Sequence, residues 1–276
     1  MLFNVLKTEF AKLLKRREFN IVLTIEVVLI SILFILTSIT YYKGYTSELP
    51  SAYQMWIGYR NGNFSFVGDI YYLFFLTLPA SIAFADTYLE DKKGRVLNFV
   101  VARCNKSSYI LSKGIVTFFS GFIVIFLPLL LNQLLCMVAF PLYTVSEVNG
   151  GNPAYDRYYL TRLYFQGLHT ISPYLHNLWF MFLDGVFGGV VAIFSYAISF
   201  FRKVNRYTVV VLPTVFYFTQ NFVLALLGKA NYCLTYYLYP TTGVKGLDYM
   251  VFMCMMAVLL MTSIFMIILN ARREEI

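Results

Sequence analysis

The sequence predicts an all-α integral membrane protein: six transmembrane helices, both termini cytoplasmic, and an amphipathic interfacial elbow helix ahead of the first span. Three observations carry that prediction. Six long apolar stretches run through the chain, its basic residues collect in alternate gaps between them, and its composition is far from that of a soluble domain. With 59% hydrophobic and 13% charged residues and a mean hydropathy of +0.66, it holds far less charge than the roughly 25% of soluble proteins.

The spans read as Phe19–Tyr41, Ile70–Ala85, Gly114–Phe140, His176–Phe200, Thr208–Gly228 and Tyr249–Asn270. A hydrocarbon core about 30 Å thick needs roughly 20 helical residues. Five stretches reach that length alone, and the second does so only by taking in Val67–Asp69, as residues 67–85. Basic residues then orient the bundle. Lys7, Lys12, Lys15, Arg16 and Arg17 precede the first span, and Lys92, Lys93, Arg95, Arg103, Lys106 and Lys113 lie between the second and third. Arg202, Lys203 and Arg206 follow the fourth, and Arg272 and Arg273 follow the sixth. These make sixteen of the 22 basic residues, leaving six for the other three gaps. Positive residues near span ends stay cytoplasmic, which places residues 141–175 outside.

One bundle accounts for nearly the whole chain, and the longest gap, Pro141–Tyr174, has no room for a separate soluble core. The net charge of +8 is distributed as loop anchors, so it does not point to nucleic acid. Cys104, Cys136, Cys233 and Cys254 are scattered, with only Cys233 in an outside gap, which gives no disulfide framework and no metal spacing. The first apolar run exceeds the roughly 7–15 residues of a signal-peptide core and no A-x-A site follows, so it is expected to remain as a span.

Residues 1–18 have their own pattern. Phe3, Leu6, Phe10, Leu13 and Leu14 recur at helical steps with Lys7, Lys12 and Lys15 largely opposite. This describes an elbow helix lying in the cytoplasmic interface. It anchors the first span, or it also touches a cytoplasmic partner. The segment 86–113 is the most distinctive cytoplasmic stretch. It opens with Glu90-Asp91-Lys92-Lys93-Gly94-Arg95, after which Val96, Leu97, Val100 and Val101 share one helical face. Interleaved acids and an apolar face favour a contact surface over a loop that only satisfies the positive-inside rule.

These two segments resemble the permease subunits of type-2 ABC transporters. The resemblance rests on "LKTEFAKLLKRREF" before the first span, and on Glu90, Gly94, a short apolar helix, Arg103 and "SSYILSK" ending in Lys113. It implies that the elbow helix and the link receive force from an ATPase, with Glu90, Asp91, Lys92, Gly94 and Arg95 as the coupling residues. No G-x-x-x-x-G-K-[ST] sequence occurs, so ATP and Mg would be bound by two copies of a separate ATPase subunit. A second permease chain, identical or homologous, would complete the pathway. The resulting expectation is a multi-pass protein of a bacterial plasma membrane, surrounded by lipid, exporting a lipid, an amphipathic peptide or a hydrophobic drug by alternating access.

Polar residues inside the spans are the pathway candidates. Glu26 lies about two turns into the first span, as a snorkelling or internally paired carboxylate or as a pathway group. Asp184 is deeper in the fourth, beside a Gly185-x-x-x-Gly189 face that admits a close helix, and is either structural glue or part of the pathway. Pro128 and Pro213 tend to kink the third and fifth spans. Asn132 and Gln133 follow the first proline, and Gln220 and Asn221 the second. Such amides line a polar cavity or, more commonly, bond to neighbouring helices. Tyrosines crowd the outer gaps, as an aromatic belt does. Three rival classes remain. An intramembrane enzyme would have to use His169 and His176, the only histidines, which lack metal-ligand spacing. A secondary transporter or channel would normally show internal repeats or several midplane charges. A membrane anchor would leave the charged segment 86–113 without a task.

Overall fold

The computed structural model describes residues 2–43, 49–59, 65–94, 105–144, 163–201, 204–240 and 247–273. Among them the regular structure is helical, with six helical runs long and apolar enough to cross a membrane: Arg17–Lys43, Gly68–Lys93, Lys106–Ala139, Pro173–Ile198, Arg206–Leu226 and Tyr249–Leu269. This is the six-span, all-α architecture expected from hydropathy.

Helix α1 (Leu2–Lys15) precedes the first span, α2 (Arg17–Lys43), with only Arg16 between them. The stripe α1 buries is Val5, Glu9 and Leu13, flanked by the half-buried Leu6 and Phe10, which pack on the core. Phe3 and Leu14 face outward. Successive helical residues point about 100° apart, so Leu13 and Leu14 cannot both face the bundle. α2 is lipid-suited over most of its surface. It buries only Phe19, Val22, Glu26 and Ile30, while Ile21, Ile25, Ile32 and Ile35 are each about half exposed.

The second span is built from pieces: α3 (Ser65–Ile70), a π-helical turn (Tyr71–Phe75), α4 (Thr77–Phe84) and α5 (Thr87–Lys93). It therefore runs well past Ala85, where the apolar stretch ends. The helix continues because Asp86, Glu90 and Asp91 are all ion-paired within the protein. Helix α6 (Lys106–Ala139) likewise begins eight residues before Gly114, at Asn105, whose side chain accepts the Ser107 N–H. Only residues 95–104 separate the two. The apolar face of Val96–Val101, together with Arg95, lies outside the described residues.

After a short helix, α7 (Gln166–Ile171), Ser172 caps α8 (Pro173–Ile198), with Pro173 at its first turn. α8 is the central, most buried span. Its main neighbour is α6, and glycines set their spacing. A Cβ on Gly121 of α6 would lie 2.6 Å from the Gly188 carbonyl oxygen, and one on Gly188 would lie 2.7 Å from Ile125. Gly185 and Gly189 seat the rings of Phe122 and Phe118 at the same kind of distance. Helices α9 (Arg206–Leu226) and α10 (Tyr249–Arg273) complete the bundle against α8 and α4.

Candidate functional site

The bundle has a basic end, where α1, α5 and the start of α9 meet, and a tyrosine-rich end. At the basic end, Arg16 sits at the α1–α2 junction with its side chain only 8% exposed. Its Nη2 lies 2.6 Å from Asp86 and 3.3 Å from Glu90, and its Nε lies 3.3 Å from Glu18. Arg206, the first residue of α9, reaches the same three carboxylates: Asp86 at 2.5 Å, Glu18 at 3.0 Å and Glu90 at 3.5 Å. Two guanidiniums and three carboxylates thus join α2, α5 and α9, and Arg16 also stacks 5.7 Å over Phe84. Beside this junction the buried Lys113 of α6 holds Asp91 at 2.5 Å, and the Tyr109 hydroxyl donates to the same carboxylate oxygen. A cleft of about 500 Å³ opens between α1, α5 and α6, with Lys12, Lys15, Glu90 and Lys113 among its walls.

The expected coupling residues therefore separate. Glu90 and Asp91 are engaged with this chain's own cations. Lys92 is exposed, as is Gly94, which closes α5 by donating its N–H to the Glu90 carbonyl. Tyr109 and Lys113 entered the resemblance only as part of the SSYILSK motif, and Arg16, Glu18, Asp86 and Arg206 were not singled out from the sequence as members of a site. Each reads there as an ordinary span-flanking residue, because its partner lies up to 188 positions away.

The amide pairs have definite tasks at the tyrosine-rich end. There the backbone of residues 51–57 dips against the bundle, with Ala52, Tyr53 and Trp56 buried. Asn132 Oδ1 accepts the Ile57 N–H at 3.0 Å, and Gln133 Nε2 donates to the Ala52 carbonyl at 3.1 Å. Asn177 Nδ2 donates both to the Tyr53 carbonyl and to Gln133 Oε1, and the Cys136 thiol reaches the Met55 carbonyl at 3.4 Å. A second clasp holds residues 232–235. Gln220 Nε2 donates to the Tyr232 carbonyl at 2.7 Å, Asn221 Oδ1 accepts the Thr235 N–H at 3.1 Å, and the Cys233 thiol reaches the Asn221 carbonyl. Backbone buried outside regular helices needs partners for its polar groups, and these amides supply them. His169 and His176 stand edge to face, 5.3 Å between centroids, and His176 Nε2 meets the Tyr164 carbonyl. Among the described residues no cluster of metal-ligating side chains forms. Burial, with the neighbouring His176 adding to it, holds the His169 imidazole down at about 4.

Between the two ends lie Glu26 and Asp184, both 0% exposed. The Tyr72 hydroxyl donates to Asp184 Oδ2 at 3.0 Å; Asp184 Oδ1 and both Glu26 oxygens have no hydrogen-bond partner among the described residues. Tyr71 and Tyr72 are adjacent in sequence yet both buried, because the π turn shifts the helical register there. Tyr217 of α9 donates its hydroxyl to the Tyr72 carbonyl, and the Tyr239 ring lies 4.4 Å from that of Tyr72.

A bundle with six helices able to cross a membrane, a charged junction at one end and clasped segments at the other is the build of a multi-pass membrane protein. Residues 5–156 match the family model described as ABC-2 family transporter protein. That is over half of the chain, so the chain belongs to the ABC-2 transporter family. Such a protein is the non-catalytic membrane permease of an ABC transporter, which implies ATPase partners. No curated protein and no solved structure matches the chain. The match covers α1 to α6, and so Glu26, the π turn, Asp86 and Glu90, but ends before Asp184 and Arg206.

Proposed function

We propose that this permease works in a bacterial plasma membrane with its basic end in the cytoplasm. In this reading two copies of an ATPase subunit drive it, and a second permease chain, identical or homologous, encloses the pathway with it. ATP and Mg sit on the ATPase subunits. The cargo is a lipid, an amphipathic peptide or a hydrophobic drug, moved outward by alternating access. The observation that carries this reading is the Arg16–Asp86–Arg206 junction. A push on α1 or on the exposed end of α5 is transmitted to α2, α5 and α9 together. Ligand-driven shifts between states need such differential contacts, and closing ATPases supply them at the surface formed by α1, Glu90, Lys92 and Gly94.

Asp91 has a separate role in this scheme: it holds Lys113, so its loss loosens α6 rather than the contact with the ATPase. The test is to purify the full chain in mild detergent and assay the preparation for a nucleotide-binding subunit and for ATP hydrolysis. The expected result is a co-purifying ATPase whose hydrolysis persists, uncoupled from transport, when Glu90→Lys and Lys92→Glu are introduced together. Normal transport by that variant would overturn the assignment of the contact. A stable preparation free of ATPase that moves substrate down an ion gradient would replace the permease reading with a self-contained carrier.

A further inference from the structure

The second span brings two tyrosines to a pair of carboxyls that no cation among the described residues answers. Glu26 lies on α2, nine residues from its start, and Asp184 lies near the middle of α8, so both sit well inside the bundle. Neither has any exposed surface, so as packed nothing as large as a water molecule touches them. The groups that face them are tyrosines. Tyr72 donates to Asp184, and Tyr71 stands within electrostatic reach of both carboxyls. Tyr217 of α9 and Tyr249 of α10 also stand within electrostatic reach of Asp184. Among the described residues no lysine, arginine or histidine acts on either carboxyl. Lys113, the buried cation of α6, is taken by Asp91, and His176 lies eight residues toward the tyrosine-rich end of α8, about 12 Å away along the helix.

A dry carboxylate without a counter-charge is among the costliest groups a protein can hold, and in membranes such groups mark ion and proton paths. The basic end shows how this chain treats acids that keep their charge: Glu18, Asp86, Glu90 and Asp91 each meet arginine or lysine. We propose that Glu26, Tyr71, Tyr72 and Asp184 form a proton-binding site, in which each carboxyl holds one proton while the bundle keeps it dry. When the spans rock apart and water enters, the carboxyl O–H bond breaks, the proton passes to water, and a carboxylate remains. Re-closure takes a proton up again. No electron transfer and no further reactant is involved. The equilibrium between the packed and opened bundle then depends on pH, and a cycle that opens to opposite sides carries protons across the membrane. Only that last consequence rests on the permease reading.

The test is infrared spectroscopy of the full chain in lipid nanodiscs at neutral pH, which needs neither substrate nor ATPase. The expected spectrum contains carbonyl bands of protonated carboxyl groups. One band disappears in Glu26→Gln and another in Asp184→Asn. In Tyr72→Phe the Asp184 band persists but moves to higher frequency, because its hydrogen bond is lost. If either glutamine or asparagine variant fails to fold, the wild-type spectrum and the Tyr72→Phe shift still decide. Absence of such bands from the wild type, or bands indifferent to all three changes, would overturn the proposal. If the bands are present but the same chain moves substrate down an ion gradient without any ATPase, the permease reading fails and the proton site stands.

Discussion

The basic end and the middle of the bundle both bury carboxyl side chains, and they treat them in opposite ways. At the basic end Asp86 is 1% exposed and is held by two guanidiniums within 2.6 Å. In the middle Asp184 receives one phenolic hydroxyl and Glu26 none within hydrogen-bonding geometry. Paired charges of the first kind lock helix ends together, and removing one partner strands the other. Unpaired carboxyls of the second kind lock nothing. They make the packed state sensitive to what enters it.

Breaking the junction should have the largest effect. Asp86→Ala leaves the buried Arg16 without its shortest contact, and loss of one partner of a buried pair costs about 3–5 kcal/mol. A loss of stability of that size, read as a lowered unfolding midpoint in detergent, is the expected result, while Glu26→Gln, which removes no ion pair, should leave the midpoint in place. Next in size is the helix contact that frames Asp184. Gly188→Leu forces side-chain atoms into Ile125 and the Gly121 carbonyl, and overpacking of this kind costs about 1–3 kcal/mol. It should also lower the yield of folded protein in size-exclusion profiles. At the opposite end, Asn177→Leu leaves the buried Tyr53 carbonyl and Gln133 Oε1 unanswered, a loss of about 1–3 kcal/mol. Proteolysis of the 49–59 segment should accelerate accordingly.

The smallest effect is one of pH. His169 is held at about 4 against an ordinary value of 6.5, so between those values the unfolded chain binds more protons than the folded one. Its contribution to stability is complete above about 6.5 and is lost as the pH falls toward and through about 4. Midpoints measured across that window should decline on acidification, and His169→Phe should flatten the decline.

Hydropathy and the distribution of basic residues made the six spans legible, because both are local signals. Helix ends were not legible, because charged residues end an apolar run without ending a helix when their partners lie elsewhere in the fold. Asp86 to Lys93 extend the second span in this way, and Asn105 starts the third early. The Gly185–Gly189 face could be read from its spacing, whereas its counterpart Gly121 could be found only once α6 and α8 were seen together. Asn132, Gln133, Gln220 and Asn221 were visible as polar groups, yet nothing local to them specifies the loop backbone they grip. Glu26 and Asp184 were the reverse case. An ionisable residue inside an apolar run stands out alone, but the tyrosines that join the two depend on a π turn that no periodicity announces.

The two clasps at the tyrosine-rich end each contain a cysteine. Cys136 lies in the first and Cys233 in the second, both about 1% exposed. Each thiol therefore reports on its own clasp: a water-soluble maleimide can react only after the corresponding segment has been drawn out of the bundle. With the exposed Cys254 and Cys104 replaced by serine, the two labelling rates give the order and timing in which the protein opens on that side. Simultaneous labelling would mean that the two segments leave as one, and separated rates would reveal which clasp yields first.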